Sequence, residues 1–311
     1  MNSSSYISER NRPSLRIAIE KVAGETSSPA QDSVAIEEPL EIQLGYGQAE
    51  ARAVKSITVT MRTPGSDSEL AAGFLLTEGV VRDAADIVSV INPLEDGSGT
   101  DLAIEDEESS TKTESILPRS SRMNVVRVEL APDVVVNLST LERNFYTTSS
   151  CGICGKASLL ALRSVCPPRY ANSFSIRAEV LHALPERLRD AQQVFEQTGG
   201  LHGAGLFDAN GKLLMLREDV GRHNAVDKLL GAQFLADLIP MRDKLLLLSG
   251  RASFELLQKA VMAGVPMVAA VGAPSSLAVQ VAREFDVILV GFLRDNRFNI
   301  YHGVDRVHAG I

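Results

Sequence analysis

Cysteine is scarce in this chain: its 311 residues hold three, Cys151, Cys154 and Cys166. That number is too small, and odd, for a disulfide framework, so a reducing compartment is expected. No apolar run is long enough to span a membrane. The longest, 265–273, contains Pro266 and Gly272 and reads as a buried strand. Residues 1–13 lack the apolar core of a signal peptide, so the expected location is the cytoplasm. An excess of basic residues is also missing. The formal net charge is −8, which argues against a general nucleic-acid surface but leaves room for a local basic pocket. What is present is 45% hydrophobic and 23% charged residues, the balance of a globular protein with a sizeable core. The length allows one large or two ordinary domains.

Residues 1–34 are rich in Ser, Pro, Gly and charge and read as a disordered tail, with at most a short strand at 15–19. A first domain of α+β type is expected over 35–170. Its strands fall at 53–63, 87–91 and 125–130. A helix there is capped by Ser66, with Glu69 in capping-box spacing, and stops at Gly79. Residues 94–122 are acidic and Ser/Thr-rich and read as a mobile insert. A second domain, 171–311, is of α/β type. Pro185 is expected to start a helix, and Asn210-Gly211 to turn a hairpin between strands 204–207 and 213–216. Helix 224–238, strand 245–248, helix 252–263, strand 267–271, helix 276–285 and strand 287–292 then alternate, implying a parallel layer covered by helices.

Chemistry concentrates first at Cys151-Gly152-Ile153-Cys154-Gly155-Lys156, within the loop 149–156. Two thiols separated by two residues approach closely, and the flanking glycines let another sulfur-bearing surface come near. The helical pattern that follows and Lys156 favour a thiolate, the form that attacks the outer sulfur of a persulfide or disulfide. A structural zinc site, a thioredoxin-like redox pair and a merely buried pair are the competing readings. No metal site is expected, and Cys166, before Pro167-Pro168, reads as structural.

A second concentration lies at three strand ends: Ser249-Gly250-Arg251, Gly272 to Ser275, and Phe292-Leu293-Arg294-Asp295-Asn296-Arg297. The first two are small-residue turns that open helices and expose backbone N–H groups, a pattern that suits phosphates. Arg251, Arg294 and Arg297 add bidentate donors for a pyrophosphate. Two histidine segments remain, one ending at His202 and one containing Arg222 and His223 beside Gly221. The second pair could touch an anion or orient a substrate.

Cys151-Gly-Ile-Cys154-Gly, Thr198-Gly-Gly-Leu-His202, Glu218-Asp-Val-Gly-Arg-His-Asn224 and Ser249-Gly-Arg-Ala-Ser-Phe254 together resemble the formate dehydrogenase accessory sulfurtransferase (FdhD) family. Glu37-Glu-Pro-Leu-Glu41 and Ala72-Gly-Phe-Leu-Leu-Thr-Glu-Gly79 extend the resemblance across residues 37–301. The resemblance implies a sulfurtransferase that accepts sulfane sulfur from a cysteine desulfurase. It implies a persulfide on Cys151, with Cys154 assisting. The acceptor is then the molybdenum or tungsten bis(guanine dinucleotide) cofactor of formate dehydrogenase, mimicked by a guanine nucleotide such as GDP. The segment from Phe292 to Arg297 matches the part that binds it. A homodimer and a cytidine deaminase-like fold in the C-terminal part are implied too. Deaminase chemistry is not, since none of the five histidines begins an H-x-E. A thiol–disulfide oxidoreductase and a cofactor chaperone that moves no sulfur are the rival functions.

Overall fold

The computed structural model describes residues 12–93, 124–136, 162–163, 166 and 172–309. The insert 94–122 and the cysteine loop 149–156 lie outside the described residues. Residues 14–35 form a pair of strands rather than a disordered tail. Strands β1 (Ser14–Ala23) and β2 (Thr26–Ala35) pair antiparallel along their whole length. Gly24 takes a positive φ of 61° at the first central position of the two-residue turn, the glycine demand of a type II′ hairpin. Thr26 Oγ1 donates to the Ala23 carbonyl across it at 2.8 Å. The serines and the single proline of β2 concealed this strand, because its partner rather than its own propensity forms it.

Strands β3 (Glu38–Tyr46), β4 (Ala53–Arg62), β5 (Ile87–Ile91) and β6 (Val125–Leu130) form a sheet in the order β4-β3-β6-β5, with helix α1 (Asp67–Thr77) against it. Leu40, Ile42, Leu44, Val126 and Val128 from the sheet and Leu70, Leu75 and Leu76 from α1 make its core. The expected capping box does not form. Ser66 sits in the left-handed region at φ 59° and makes no side-chain cap bond. Glu69 instead accepts two hydrogen bonds from Arg217, at 2.6 and 2.7 Å. A tertiary guanidinium displaces a local backbone partner.

The C-terminal half opens with β7 (Ile176–Arg177) and helices α2 (Ala178–Ala191) and α3 (Gln193–Thr198). Pro185 lies inside α2 rather than at its start. The buried stripe Val180, Leu181, Leu184 and Leu188 carries the helix through the proline, tertiary packing overriding a local breaker. Then follow β8 (His202–Asp208), β9 (Leu213–Asp219), α4 (Arg222–Leu235), β10 (Lys244–Leu248), α5 (Phe254–Met262), β11 (Met267–Ala270), α6 (Ser276–Phe285), β12 (Ile288–Arg294), β13 (Arg297–His302) and β14 (Val307–His308). The hairpin at Asn210-Gly211 forms. Asp208 Oδ1 accepts from Asn210 N and Lys212 N, and Gly211 takes φ 75°.

The six-stranded sheet runs β13-β12-β11-β10-β8-β9. Only β10, β11 and β12 are parallel, while β8, β9 and β13 run antiparallel to their neighbours, so the layer is mixed. Alternation sorts the strands' side chains to two faces. Leu246, Leu248, Val268, Ala270 and Leu289 pack with α4, α5 and α6. Leu245, Leu247, Met267, Ala269, Ile288 and Val290 pack with α2.

Helices α1 and α4 cross at glycines. A Cβ on Gly73 would meet the Asp227 carbonyl oxygen at 1.9 Å, and one on Gly231 the Glu69 carbonyl oxygen at 1.8 Å. Beside this crossing lie two buried ion pairs. Lys259 reaches Asp227 at 2.8 Å and Thr77 Oγ1 at 2.9 Å, and Lys228 reaches Asp219 and the Thr63 carbonyl, each at 2.7 Å.

Candidate functional site

The carboxyl ends of β10, β11 and β12 lie at one edge of the six-stranded sheet. Because β8 runs opposite to β10, its first residue, His202, lies at that edge, and so does Asp219, the last of β9. The sequence-predicted candidates from three distant segments therefore converge there.

Backbone hydrogen bonds lace the edge together. Gly272 N donates to Gly250 O at 2.9 Å, Ala252 N to Ala273 O at 3.2 Å, Ser275 N to Ala252 O at 2.9 Å and Phe292 N to Gly272 O at 3.0 Å. Among the described residues this leaves the N–H groups of Gly250, Arg251 and Ala273 without a backbone acceptor. Gly272 must be glycine for reasons of space, since a Cβ there would stand 2.9 Å from the Gly250 oxygen, whereas one on Gly250 would only reach van der Waals contact with His202 Nδ1 at 3.4 Å.

The individual candidates divide by what their side chains already do. Ser249 Oγ accepts from Gly203 N at 2.8 Å, tying β10 to β8. Ser275 Oγ caps α6 by accepting from Ala278 N at 3.2 Å. Both hydroxyls serve the fold first. Leu293 corrects the expectation most directly. Its side chain is fully buried in the core under α2, so it cannot line a ligand site with that side chain. The strand continues through it to Arg294, and the expected open segment is a hairpin. Arg294 pairs with Arg297 across the turn Asp295-Asn296, both of whose residues take positive φ, at 51° and 57°. Arg294, Asp295, Asn296 and Arg297 are exposed at the tip, and Arg251 is exposed on its own turn. Phe292 is half-buried in a bulge, held at φ 54° by its bond to Gly272. A bulky residue in the left-handed region persists only where its surroundings impose it, and such positions cluster at functional sites.

His202, Arg222 and His223 do come together. Burial first, and then the charges of Arg222 and His223, push the pKa of His202 below its ordinary value. Its neutral form is therefore favoured. The buried Nε of Arg222 has no hydrogen-bond partner, an orphaned donor at an edge rich in other donors. His223 Nε2 lies 3.5 Å from Ser253 Oγ and 3.8 Å from Glu255 Oε2. The neighbouring His223, with backbone and Ser253 contacts at the start of α5, holds the Glu255 carboxyl down at about 2.

Sequence reasoning missed two contributors. Glu255 gave no signal, being one acidic residue in a helix's first turn. Asp219 gave one in its spacing to Gly221, that of an Asx turn. Wholly buried, it accepts from Gly221 N at 2.8 Å, Asn224 Nδ2 at 3.0 Å and Thr63 N at 3.1 Å, and pairs with Lys228. It fixes the turn that presents Arg222 and His223. Glu218 accepts from Val194 N and Phe195 N, pinning α3.

Cys151 and Cys154 lie outside the described residues. Cys166 is a free thiol against the core, its sulfur 3.6 Å from that of Met262, and burial raises its pKa to about 12. That is the behaviour of a packing residue. Among the described residues no group of His, Cys, Asp and Glu could hold a metal, and no helix is long and apolar enough to cross a membrane.

The sequence profile of the FdhD/NarQ family matches residues 35–308. The sulfur carrier protein FdhD of Streptomyces coelicolor is 49% identical over 285 residues, covering 90% of each chain. That of Mycolicibacterium paratuberculosis is 50% identical over 279 residues, 89% of this chain and 92% of its own. That of Sulfurisphaera tokodaii is 39% identical over 293 residues, 94% of this chain and 98% of its own. Among solved structures, a protein provisionally described as a formate dehydrogenase accessory protein, from Desulfotalea psychrophila, superposes with a TM-score of 0.66 over 96% of this chain and 100% of that one. At 21% identity that likeness speaks for the fold alone.

Proposed function

The chain belongs to the FdhD/NarQ family, and on that premise we propose that it is a cytoplasmic sulfur carrier serving formate dehydrogenase. Cys151 takes up sulfane sulfur, and the receiving substrate is the molybdenum or tungsten bis(guanine dinucleotide) cofactor. In the loading step the Cys151 thiolate attacks the outer sulfur of a cysteine desulfurase persulfide. The donor's S–S bond breaks, its cysteine leaves as thiolate, and Cys151 becomes the persulfide. Cys154, two residues on, assists onward transfer.

The observation that favours a guanine dinucleotide as acceptor is the chemistry of the sheet edge. An orphaned Arg222 Nε, the free N–H groups of Gly250, Arg251 and Ala273, and the exposed Arg251, Arg294 and Arg297 suit a pyrophosphate. The close approach of Gly250 and Gly272 keeps the cradle free of side chains. Phe292, held half-exposed in its bulge, offers an apolar face to a purine. The bound cofactor supplies the metal centre that receives sulfur. The chain's own residues anchor its diphosphates and hold His202 neutral beside them.

The test is mass spectrometry of the protein after incubation with a cysteine desulfurase and cysteine. A gain of one sulfur that maps to Cys151 and vanishes in Cys151→Ala is expected. Labelling undiminished in that variant would remove the assignment. A Cys151–Cys154 disulfide with no added sulfur would favour the thiol–disulfide oxidoreductase.

A further inference from the structure

The end of β4 lies outside the proposed site, yet it grips the turn that presents Arg222. Thr63, the residue after β4, is 1% exposed and commits all three of its polar groups to that turn and to α4. Its N–H donates to Asp219 Oδ2 and its Oγ1 accepts from Val220 N, each at 3.1 Å. Its carbonyl accepts from Lys228 Nζ at 2.7 Å. Alongside, Asn224 Nδ2 donates to the Met61 carbonyl at 2.8 Å, and Thr60 Oγ1 donates to Asn224 Oδ1 at 3.3 Å. The bonded residues flank Arg222 on both sides: Asp219 and Val220 precede it, and Asn224 and Lys228 follow.

The strand end is itself anchored from behind. Arg62, buried at the last position of β4, donates through Nε and Nη2 to the two carboxylate oxygens of Asp67 in the first turn of α1, both at 2.9 Å. Helix α4, by contrast, begins without a side-chain cap, because its N-cap is Gly221. Its own sequence therefore supplies no side chain to fix its first residue, Arg222. The clasp from β4 takes that part. It includes the Asp219 carboxylate, whose other oxygen accepts from Gly221 N at 2.8 Å. A guanidinium that must meet a phosphate in fixed geometry tolerates little misplacement.

We propose that Thr63 is a positioning residue of the anion site: its hydroxyl holds the Val220 N–H and, with Asp219, sets the turn from which Arg222 reaches the sheet edge. The proposal rests on the reading of that edge as a pyrophosphate site. The donor so placed is the buried Arg222 Nε, which has no partner of its own. A residue at the rim of the first sheet then tunes affinity at an edge built by the second. The hydroxyl is the part of the clasp that can be removed alone. Asp219→Asn would leave Lys228 buried without its counter-charge and endanger the fold. Thr63→Val keeps the shape of the side chain and both backbone bonds, and deletes only the acceptor for Val220 N.

Calorimetry of the full chain with guanosine diphosphate tests it, with melting temperature measured beside it. Thr63→Val should weaken binding roughly tenfold, while Thr63→Ser, which keeps the hydroxyl, should stay within about twofold of the parent. Thr63→Ala deletes the same acceptor without pressing a methyl group on the N–H, and should match Thr63→Val if the valine disturbs the fold. In an Arg222→Ala background, removing the hydroxyl should weaken binding by less than about twofold, because the residue it acts through is gone. A merely structural tie would lower the melting temperature and leave affinity unchanged, or weaken binding equally with and without Arg222. Either result overturns the proposal alone. A folded parent that binds no guanosine diphosphate overturns the reading of the edge, and the role of Thr63 with it.

Discussion

Asp219 and Arg222 belong to one short motif and meet opposite fates. Asp219 is wholly buried, and the donors around it are Thr63, Gly221, Asn224 and Lys228. Arg222 turns toward the sheet edge with a buried donor that nothing accepts. The contrast extends to the regions they belong to. Beside the α1–α4 crossing, each buried charge has a counter-charge within 2.8 Å. At the sheet edge, Arg251 and Arg297 make no ion pair among the described residues, and the carboxylate nearest Arg294 is its own neighbour Asp295 at 3.9 Å. Buried ions must be paired to exist at all, so the first region records the demands of folding. Exposed guanidiniums gathered on one rim face no such demand, and their convergence is the stronger sign of a ligand.

The contrast is sharpened most by breaking a pair. Lys259→Met leaves the Asp227 carboxylate buried without its ammonium, and stability in urea should fall by about 3–5 kcal/mol. Asp227→Leu with Lys259→Met should retain most of the stability. An equal loss in the double variant would assign the stabilisation to the pair itself rather than to relief of an orphaned charge.

At the edge the expectation reverses. Arg297→Ala should leave unfolding within about 0.5 kcal/mol of the parent. It should also weaken guanosine diphosphate binding by about 1.5–3 kcal/mol in calorimetry, at least tenfold. A variant that loses stability but binds unchanged would place the edge in the same class as the ion pairs beside the α1–α4 crossing.

The smallest effect is that of pH. The pKa of His202 is lowered in the fold, so the unfolded chain binds the proton first. The associated stability is present at neutral pH and is lost as pH falls below about 6.5. His202→Asn should flatten thermal stability between neutrality and the onset of carboxylate titration. Glu255 acts in a separate window. Its contribution is present above about 4.5 and is lost as the pH falls toward about 2. A slope near pH 6 unchanged by the substitution would show that His202 is not its source.

Local order was legible where local rules decide it. The strands at 87–91 and 125–130 and the helix at 276–285 match their expected spans, because alternation and an amphipathic repeat are written within a few residues. The strand-end turns at Ser249 and Gly272 were legible as well, since small residues after an apolar run leave few other readings. Ser249 was not legible as a strand tie, because the Gly203 N–H it accepts from is distant in sequence and meets it only in space.

The sequence by itself determined the family, the cysteine pair and the alternation of strand and helix in the C-terminal half, all short-range properties. Tertiary structure decided that β8 enters antiparallel and brings His202 to the edge, that Leu293 turns into the core while its neighbours reach solvent, and that Glu69 leaves its own helix end for Arg217. It also made residues 14–35 a hairpin. Each of these depends on which partner a backbone or charged group finds. Burial and long-range pairing set that choice, and residue spacing does not encode it.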